Sequence, residues 1–293
     1  MRVTQQMLNQ NSIRNMSQNL SRFEKINNQV STGKLLHRPS DDPNGVSKAM
    51  NLKSTLAANA QFERNTNKAN LWMDETDQHI SSMVDVMQKV RELAVQGNNG
   101  TLSEHDRTAI AVEVEELTEQ MRQLANAKVN GRSLFNGQKT AEMPFPEKGS
   151  YALDSSDLVA RTFTIGEGIS IQSSVLPDEL FGSSADDKNL FKTLQSISVN
   201  LKAGNSSDLE TIDAGMERLL TVAAANGARQ NRVEAVENRL LDSNLELKSM
   251  LSKVEDIDYA EAIIKLTSEE SVYQASLAAS SKIIQPSLMD FLR

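Results

Sequence analysis

The side chains that could do chemistry are few and scattered. The chain has three histidines, His37, His79 and His105, and no cysteine. A metal site would call for ligands at short spacing, such as a His-Glu-x-x-His run on one helix face, and no histidine here has a second at that distance. Lack of cysteine removes thiolate ligands, disulfides and cysteine nucleophiles. Asp41 and Asp42 are adjacent carboxylates, and a carboxylate pair can share acid–base work. They stand between Pro39 and Pro43, however, just before Asn44-Gly45, and carboxylates in that setting more often cap helices and shape turns. No Gly-x-Ser-x-Gly elbow, phosphate-cradling Gly-Lys-Ser/Thr loop or dinucleotide fingerprint occurs. The expectation is therefore a protein with no catalytic residues, no metal and no cofactor, and not an enzyme.

Composition points the same way. The 293 residues are 39% apolar and only 4% aromatic, so Ala, Leu, Val, Met and Ile must supply the packing, which favours helices on helices. The net charge of −8 argues against a general nucleic-acid binder, which needs a basic face for phosphates. Charge is also uneven. Residues 1–72 hold ten Lys/Arg against four Asp/Glu, and residues 208–270 hold seven against fourteen. Helical ends of opposite sign suggest arms that attract. No apolar run approaches the roughly 18 residues that span a bilayer. Met1-Arg2-Val3-Thr4 is followed by no apolar stretch, so a cleaved secretory signal is not expected.

Stepping along the chain, apolar residues recur at three- and four-residue intervals over long stretches. A first helix is expected from about Thr4 to Val30, with Val3, Met7, Ile13, Met16, Leu20, Phe23, Ile26 and Val30 as its stripe. Gly33 ends it, and the Pro39–Pro43 loop follows, where Ser40, Asp41 and Asp42 can accept backbone N–H groups. A second helix fills about Val46 to Gln96 and includes Trp72 in its core stripe. Thr101-Leu102-Ser103-Glu104 has the pattern of a capping box, opening a third helix to about Asn130 with Ile110, Val114, Leu117, Met121 and Leu124 inward. Residues 131–187 are rich in glycine and proline. Within them Arg161–Ile165 and Ile169–Gln172 alternate about Gly166-Glu167-Gly168, predicting a β-hairpin. Helix returns from about Lys188 to Leu201 and, after the Ser207–Glu210 cap pattern, from 208 to about Lys253. The acidic joint Val254–Asp258 leads to a last arm with Tyr259, Ile263, Leu266, Tyr273, Leu277, Ile284, Leu288 and Phe291 as its stripe. The fold class is mainly α: a long antiparallel helical bundle or coiled coil made by both chain ends, with a small β-containing inserted middle domain. A lone pair of arms leaves half of each stripe wet, so these stripes are expected to be completed by other chains.

Several motifs resemble the bacterial flagellin family. They are Ser31-Thr32-Gly33-Lys34 with Arg38-Pro39-Ser40-Asp41-Asp42-Pro43, Arg91–Gln96 with Asn99–Ser103, and Leu134-Phe135-Asn136-Gly137. Leu71–Asp77, Val254–Ile263 and the tail Ser287–Leu292 are similar to the members of that family that form the hook–filament junction. The likeness covers about 1–137 and 188–293 and leaves out 138–187. It implies a structural role, and three domains: residues 1–42 with 256–293 as a terminal coiled coil (D0), 43–137 with 188–255 as a helical rod (D1), and 138–187 as a small β-rich outer domain (D2). It implies assembly into a homo-oligomeric ring between the hook-associated protein FlgK and flagellin. The export chaperone FlgN is expected on the C-terminal arm, about residues 250–293. The place implied is the extracellular flagellum, reached through the flagellar type III system. The assembly interface is then expected along Val3, Met7, Met16, Leu20, Phe23 and Val30 of the first arm, and Tyr259, Ile263, Leu266, Tyr273, Leu277, Ile284, Leu288 and Phe291 of the last. Gly33, Pro39, Ser40, Asp41, Asp42 and Pro43 form the family loop. Two other readings are a short filament flagellin and a cytoplasmic coiled-coil adaptor; the adaptor leaves the β insert without a purpose.

Overall fold

The computed structural model describes residues 5–145, 158–183 and 189–284. Its elements run α1 (Gln5–Thr32), α2 (Pro43–Gly97), α3 (Glu104–Ala125), β1 (Lys128–Val129), β2 (Arg132–Ser133), β3 (Thr162–Gly166), β4 (Ile169–Gln172), α4 (Pro177–Phe181), α5 (Leu190–Ala203), α6 (Leu209–Glu255) and α7 (Tyr259–Ile284). Helix dominates, as the three- and four-residue spacing predicts. The predicted hairpin is present: β3 and β4 pair antiparallel, with Phe163 opposite Ile171 and a register shift between Thr164 and Gly166.

The chain divides into two compact units, residues 1–58 with 243–293 and residues 59–242. In the larger unit, α2 and α6 run antiparallel. Arg91 pairs with Asp213 (2.6 Å), Gln230 donates to Asp74 (3.0 Å), and Asn70 donates to Glu237 (3.1 Å), so partner numbers fall on one helix as they rise on the other. Asn226 is buried and donates from its side chain to the Met73 carbonyl (3.0 Å), which satisfies a polar group that water does not reach. The main core joins Trp72, Ile80, Met83, Met87 and Val90 of α2 to Ile110, Val114 and Met121 of α3 and to Leu194, Ile197 and Leu201 of α5.

The middle segment enters that same core. Phe145, Leu180 and Phe181 are buried there with Phe191. The Phe145 ring meets Phe181 edge-on at 5.4 Å and Phe191 at 4.8 Å. Ile165 and Ile171 of the hairpin pack instead with Ala69, Met73, Val233, Val236 and Leu240. A two-stranded hairpin is too small to bury its own apolar face, so it uses the helices as its second layer.

Three local expectations need correction. The third helix stops at Ala125 rather than near Asn130, because Asn130 (φ +50°) and Gly131 (φ +76°) turn the chain between β1 and β2. Its cap is Ser103, whose side chain accepts from the Asp106 N–H, so the box is Ser103–Asp106 and not Thr101–Glu104. At the start of α6 the Asp208 carboxylate, not Ser207, accepts from Glu210 N–H (3.0 Å). Ser207 is buried beneath, with its backbone bonded to Asn98.

Candidate functional site

In the smaller unit α1 and α7 lie antiparallel, and the residues they cover on each other follow a strict alternation of three and four. On α1 these are Asn9, Ser12, Met16, Asn19, Phe23, Ile26 and Val30, and on α7 Ala262, Leu266, Glu269, Tyr273, Ser276 and Ser280. That is the a/d seam of a coiled coil. Its layers are concrete. Phe23 stacks on Tyr273 with ring centres 6.1 Å apart. Asn19 donates to Ser276 (2.5 Å), the Ser12 and Ser280 hydroxyls are 2.9 Å apart, and Arg22 donates to Glu269 (3.3 Å). The seam is thus aromatic and aliphatic near the loop end and polar farther out.

Of the interface residues read from the sequence, Met16, Phe23, Val30, Leu266 and Tyr273 are in this seam. Met7 (54% exposed), Leu20, Tyr259, Ile263 (50%) and Leu277 (43%) point away from it, with Ile13, Ile264 and Val272. Val3, Leu288 and Phe291 lie outside the described residues, and of Ile284 only its place at the end of α7 is described. The polar seam residues Ser12, Asn19, Ser276 and Ser280 escape a reading that counts apolar side chains alone. The three/four spacing applied to every residue type finds them.

The loop after α1 is held to the joint before α7. Backbone bonds run from Leu35 N–H to the Glu255 carbonyl (2.6 Å) and from Ile257 N–H to the Gly33 carbonyl (3.2 Å). Glu255 is buried, at 5% exposure, and one of its oxygens receives both Lys34 (2.8 Å) and Lys53 (2.7 Å). Burial pushes its carboxyl up, but the two lysine hydrogen bonds outweigh burial and leave it below the ordinary range. Lys34 is raised above its usual value, chiefly by its hydrogen bond to Glu255.

The family-loop residues divide their tasks. Gly33 has φ +72°, a region costly for side chains with a Cβ, and Tyr259 rests on it. Asp41 turns back, accepting N–H groups from His37 (3.3 Å) and Arg38 (3.0 Å) and pairing with Lys25 (3.0 Å). The Lys25 contact, then those backbone bonds, hold its carboxyl below the usual range. Asp42 looks forward: its side chain accepts from Asn44 N–H (3.1 Å) and its carbonyl from Val46 N–H (2.9 Å), so it starts α2 at Pro43. Pro39 and Ser40 form the turn between. The two carboxylates are structural and do not face one another's work.

The histidines also have local partners. His37 is 2.8 Å from the Thr32 hydroxyl, and His79 meets the Phe135 ring edge-on. His105 lies in the first turn of α3 beside Asp106. Among the described residues, no group of three or more His, Cys, Asp or Glu could hold a metal ion, and no helix is long and apolar enough to cross a membrane.

Comparison with known proteins accounts for this arrangement. Residues 3–140 match the bacterial flagellin N-terminal helical region, and residues 209–292 match the bacterial flagellin C-terminal helical region. The chain is 30% identical to flagellar hook-associated protein 3 of Escherichia coli (strain K12), covering 95% of this chain and 96% of that one. It is 24% identical to flagellin of Bacillus subtilis (strain 168), over 92% of this chain and 90% of the relative. A putative flagellar hook-associated protein from Vibrio parahaemolyticus has the same fold, with a TM-score of 0.67 at 21% identity, covering 74% of this chain and all of that structure. The regions the family shares take in α1 to α3 on one side and α6 with α7 on the other, and the chain belongs to the bacterial flagellin family.

Proposed function

We propose that the chain is a structural subunit of the bacterial flagellum that forms the junction between hook and filament. The observation that carries this is its end-to-end similarity to flagellar hook-associated protein 3, together with a terminal coiled coil that keeps apolar side chains exposed. Met7, Ile13, Leu20, Ile263, Ile264, Val272 and Leu277 are then the surface that neighbouring copies cover in a homo-oligomeric ring. Residues 1–42 with 256–293 act as the assembling D0 part and 43–137 with 188–255 as the D1 rod. Residues 138–187 act as the outward D2 part. The partners are FlgK on the hook side and flagellin on the filament side. The subunit leaves the cell through the flagellar type III system to act outside, its C-terminal arm, about 250–293, held beforehand by FlgN. The role is mechanical and not catalytic.

Deletion of the gene tests this directly. The expected result is cells with hooks, no filaments, and flagellin released into the medium. Normal filaments in the deletion strain overturn the junction role. The similarity to flagellins supports one other reading, a short filament subunit. Purified protein added to filament seeds separates the two: a flagellin elongates them, whereas a junction subunit stops at short collars.

A further inference from the structure

Arg161, just before β3, is held in an unusual way. Its guanidinium carbon lies 4.6 Å from the centre of the Trp72 ring and 4.6 Å from that of Phe163. Two aromatic faces fix the plane of the group and shield it from water. Among the described residues no carboxylate pairs with it. Burial, and then the like charge of Arg132, hold it below its ordinary range. Among the described residues its Nη1 is buried without a hydrogen-bond partner, and so is Nε1 of the Trp72 on which it stacks. Arg161 and Arg132 line one cavity of about 340 Å³ together with Gln138, Thr140 and Thr162.

Stacking on aromatics explains why one arginine is held rigidly. It does not explain a second arginine on the same cavity, since two like charges repel. Among the described residues Arg161 has no carboxylate partner, and an anion entering the cavity that it lines with Arg132 supplies the missing counter-charge. The geometry points to a binding site for a tetrahedral oxyanion of the phosphate or sulfate class, held between Arg161 and Arg132, with Gln138, Thr140 and Thr162 as neutral donors. A tetrahedral dianion accepts from both guanidinium groups at once and carries charge to balance both, whereas a monocarboxylate carries charge to balance only one. The anion removes the repulsion between the arginines and ties the β1–β2 and β3–β4 hairpins together.

Calorimetric titration of the intact chain at neutral pH tests the site, using inorganic phosphate and sulfate with acetate and chloride at matched ionic strength. Saturable binding of phosphate and sulfate is expected, with no saturable binding of acetate or chloride. Affinity should fall about tenfold or more in R132Q and in R161Q, the loss expected for one charge-assisted bond. Arg132 is exposed, so R132Q keeps the fold even if R161Q does not. Phenyl phosphate binding as tightly as inorganic phosphate identifies an ester-linked source, and weaker binding identifies the free ion. No saturable phosphate binding in the natural sequence, or equal binding in R132Q, overturns the proposal.

Discussion

At the scale of single residues, two glycines show how neighbours decide a cost. Gly33 and Gly137 both have positive φ, +72° and +54°. A Cβ on Gly33 would meet the Tyr259 hydroxyl at 2.6 Å, the far end of an exposed side chain that can swing away. A Cβ on Gly137 would meet the Val159 carbonyl at 2.5 Å, a backbone atom that also accepts from Gln138 N–H. G33A should therefore cost about 1–2 kcal/mol, the left-handed penalty alone. G137A should cost about 2–4 kcal/mol because the backbone at Val159, just before β3, must also shift. Urea unfolding that ranks them the other way would refute this account. The Glu255 clamp has a pH signature. Its carboxyl sits below the ordinary value of 4.5, so its contribution is present above that pH and fades as pH falls through the lowered folded value. Lys34, raised above 10.5, contributes below that pH and fades only as pH rises past the folded value. Allowing for two half-exposed lysines, E255Q should cost about 1 kcal/mol and abolish both limbs. NMR titration of the Leu35 and Ile257 amides reads this, and an unchanged acid limb in E255Q would assign the loss to other groups.

At the scale of elements, the helices are legible because a spacing of three and four is local and repeats for tens of residues. The β1–β2 turn and α4 are not, since each is shorter than the window that periodicity needs. What Pro177–Phe181 contributes, a buried Leu180 and Phe181, depends on Phe145 and Phe191, both outside the helix itself. F191A should cost about 3–5 kcal/mol in urea unfolding, as for any fully buried phenyl ring removed from a packed core. The α1–α7 seam makes a different prediction. Polar seam residues hold register at the expense of stability. The chain has no cysteine, so S12C with S280C offers a clean probe, and the pair should form a disulfide readily under mild oxidation. Adding Asn19→Leu should raise the thermal midpoint of the helical arms while lowering the cross-link yield. A yield that stays the same means that Asn19 does not set the register.

For the whole molecule, the two compact units should differ in dynamics. Residues 59–242 bury continuous apolar clusters, whereas residues 1–58 with 243–293 share one narrow seam and expose many apolar side chains. Amide exchange in the isolated protein should be fast along α1 and α7 and slow in α3 and α5. Incorporation into flagella should slow the arms by orders of magnitude. Equal protection of arms and core in the isolated protein would show that the arms fold without partners. The opposite charges of the two ends act at few points: Arg22 with Glu269, and Lys34 and Lys53 with Glu255. Among the described residues other arm charges pair locally, as Lys25 does with Asp41 and Lys265 with Glu261.

By itself the sequence determined the helical character, the antiparallel use of both ends, the hairpin in the insert and the loop that breaks α1 from α2. The helices, the hairpin and the loop follow from local chemistry, namely apolar spacing, proline, glycine and capping side chains, and the pairing of the ends from their opposite charge and the family resemblance. Which stripe residues face inward was not local. Met16 and Leu20 look alike in sequence, yet one lies in the seam and the other outside it, because the partner helix selects one register from several with similar spacing. The clamp of Lys34 and Lys53 on Glu255 and the stacking of Arg161 on Trp72 join residues that lie tens to hundreds of positions apart. Long-range packing in the folded chain brings their charges and rings together, and no short window of sequence contains both members.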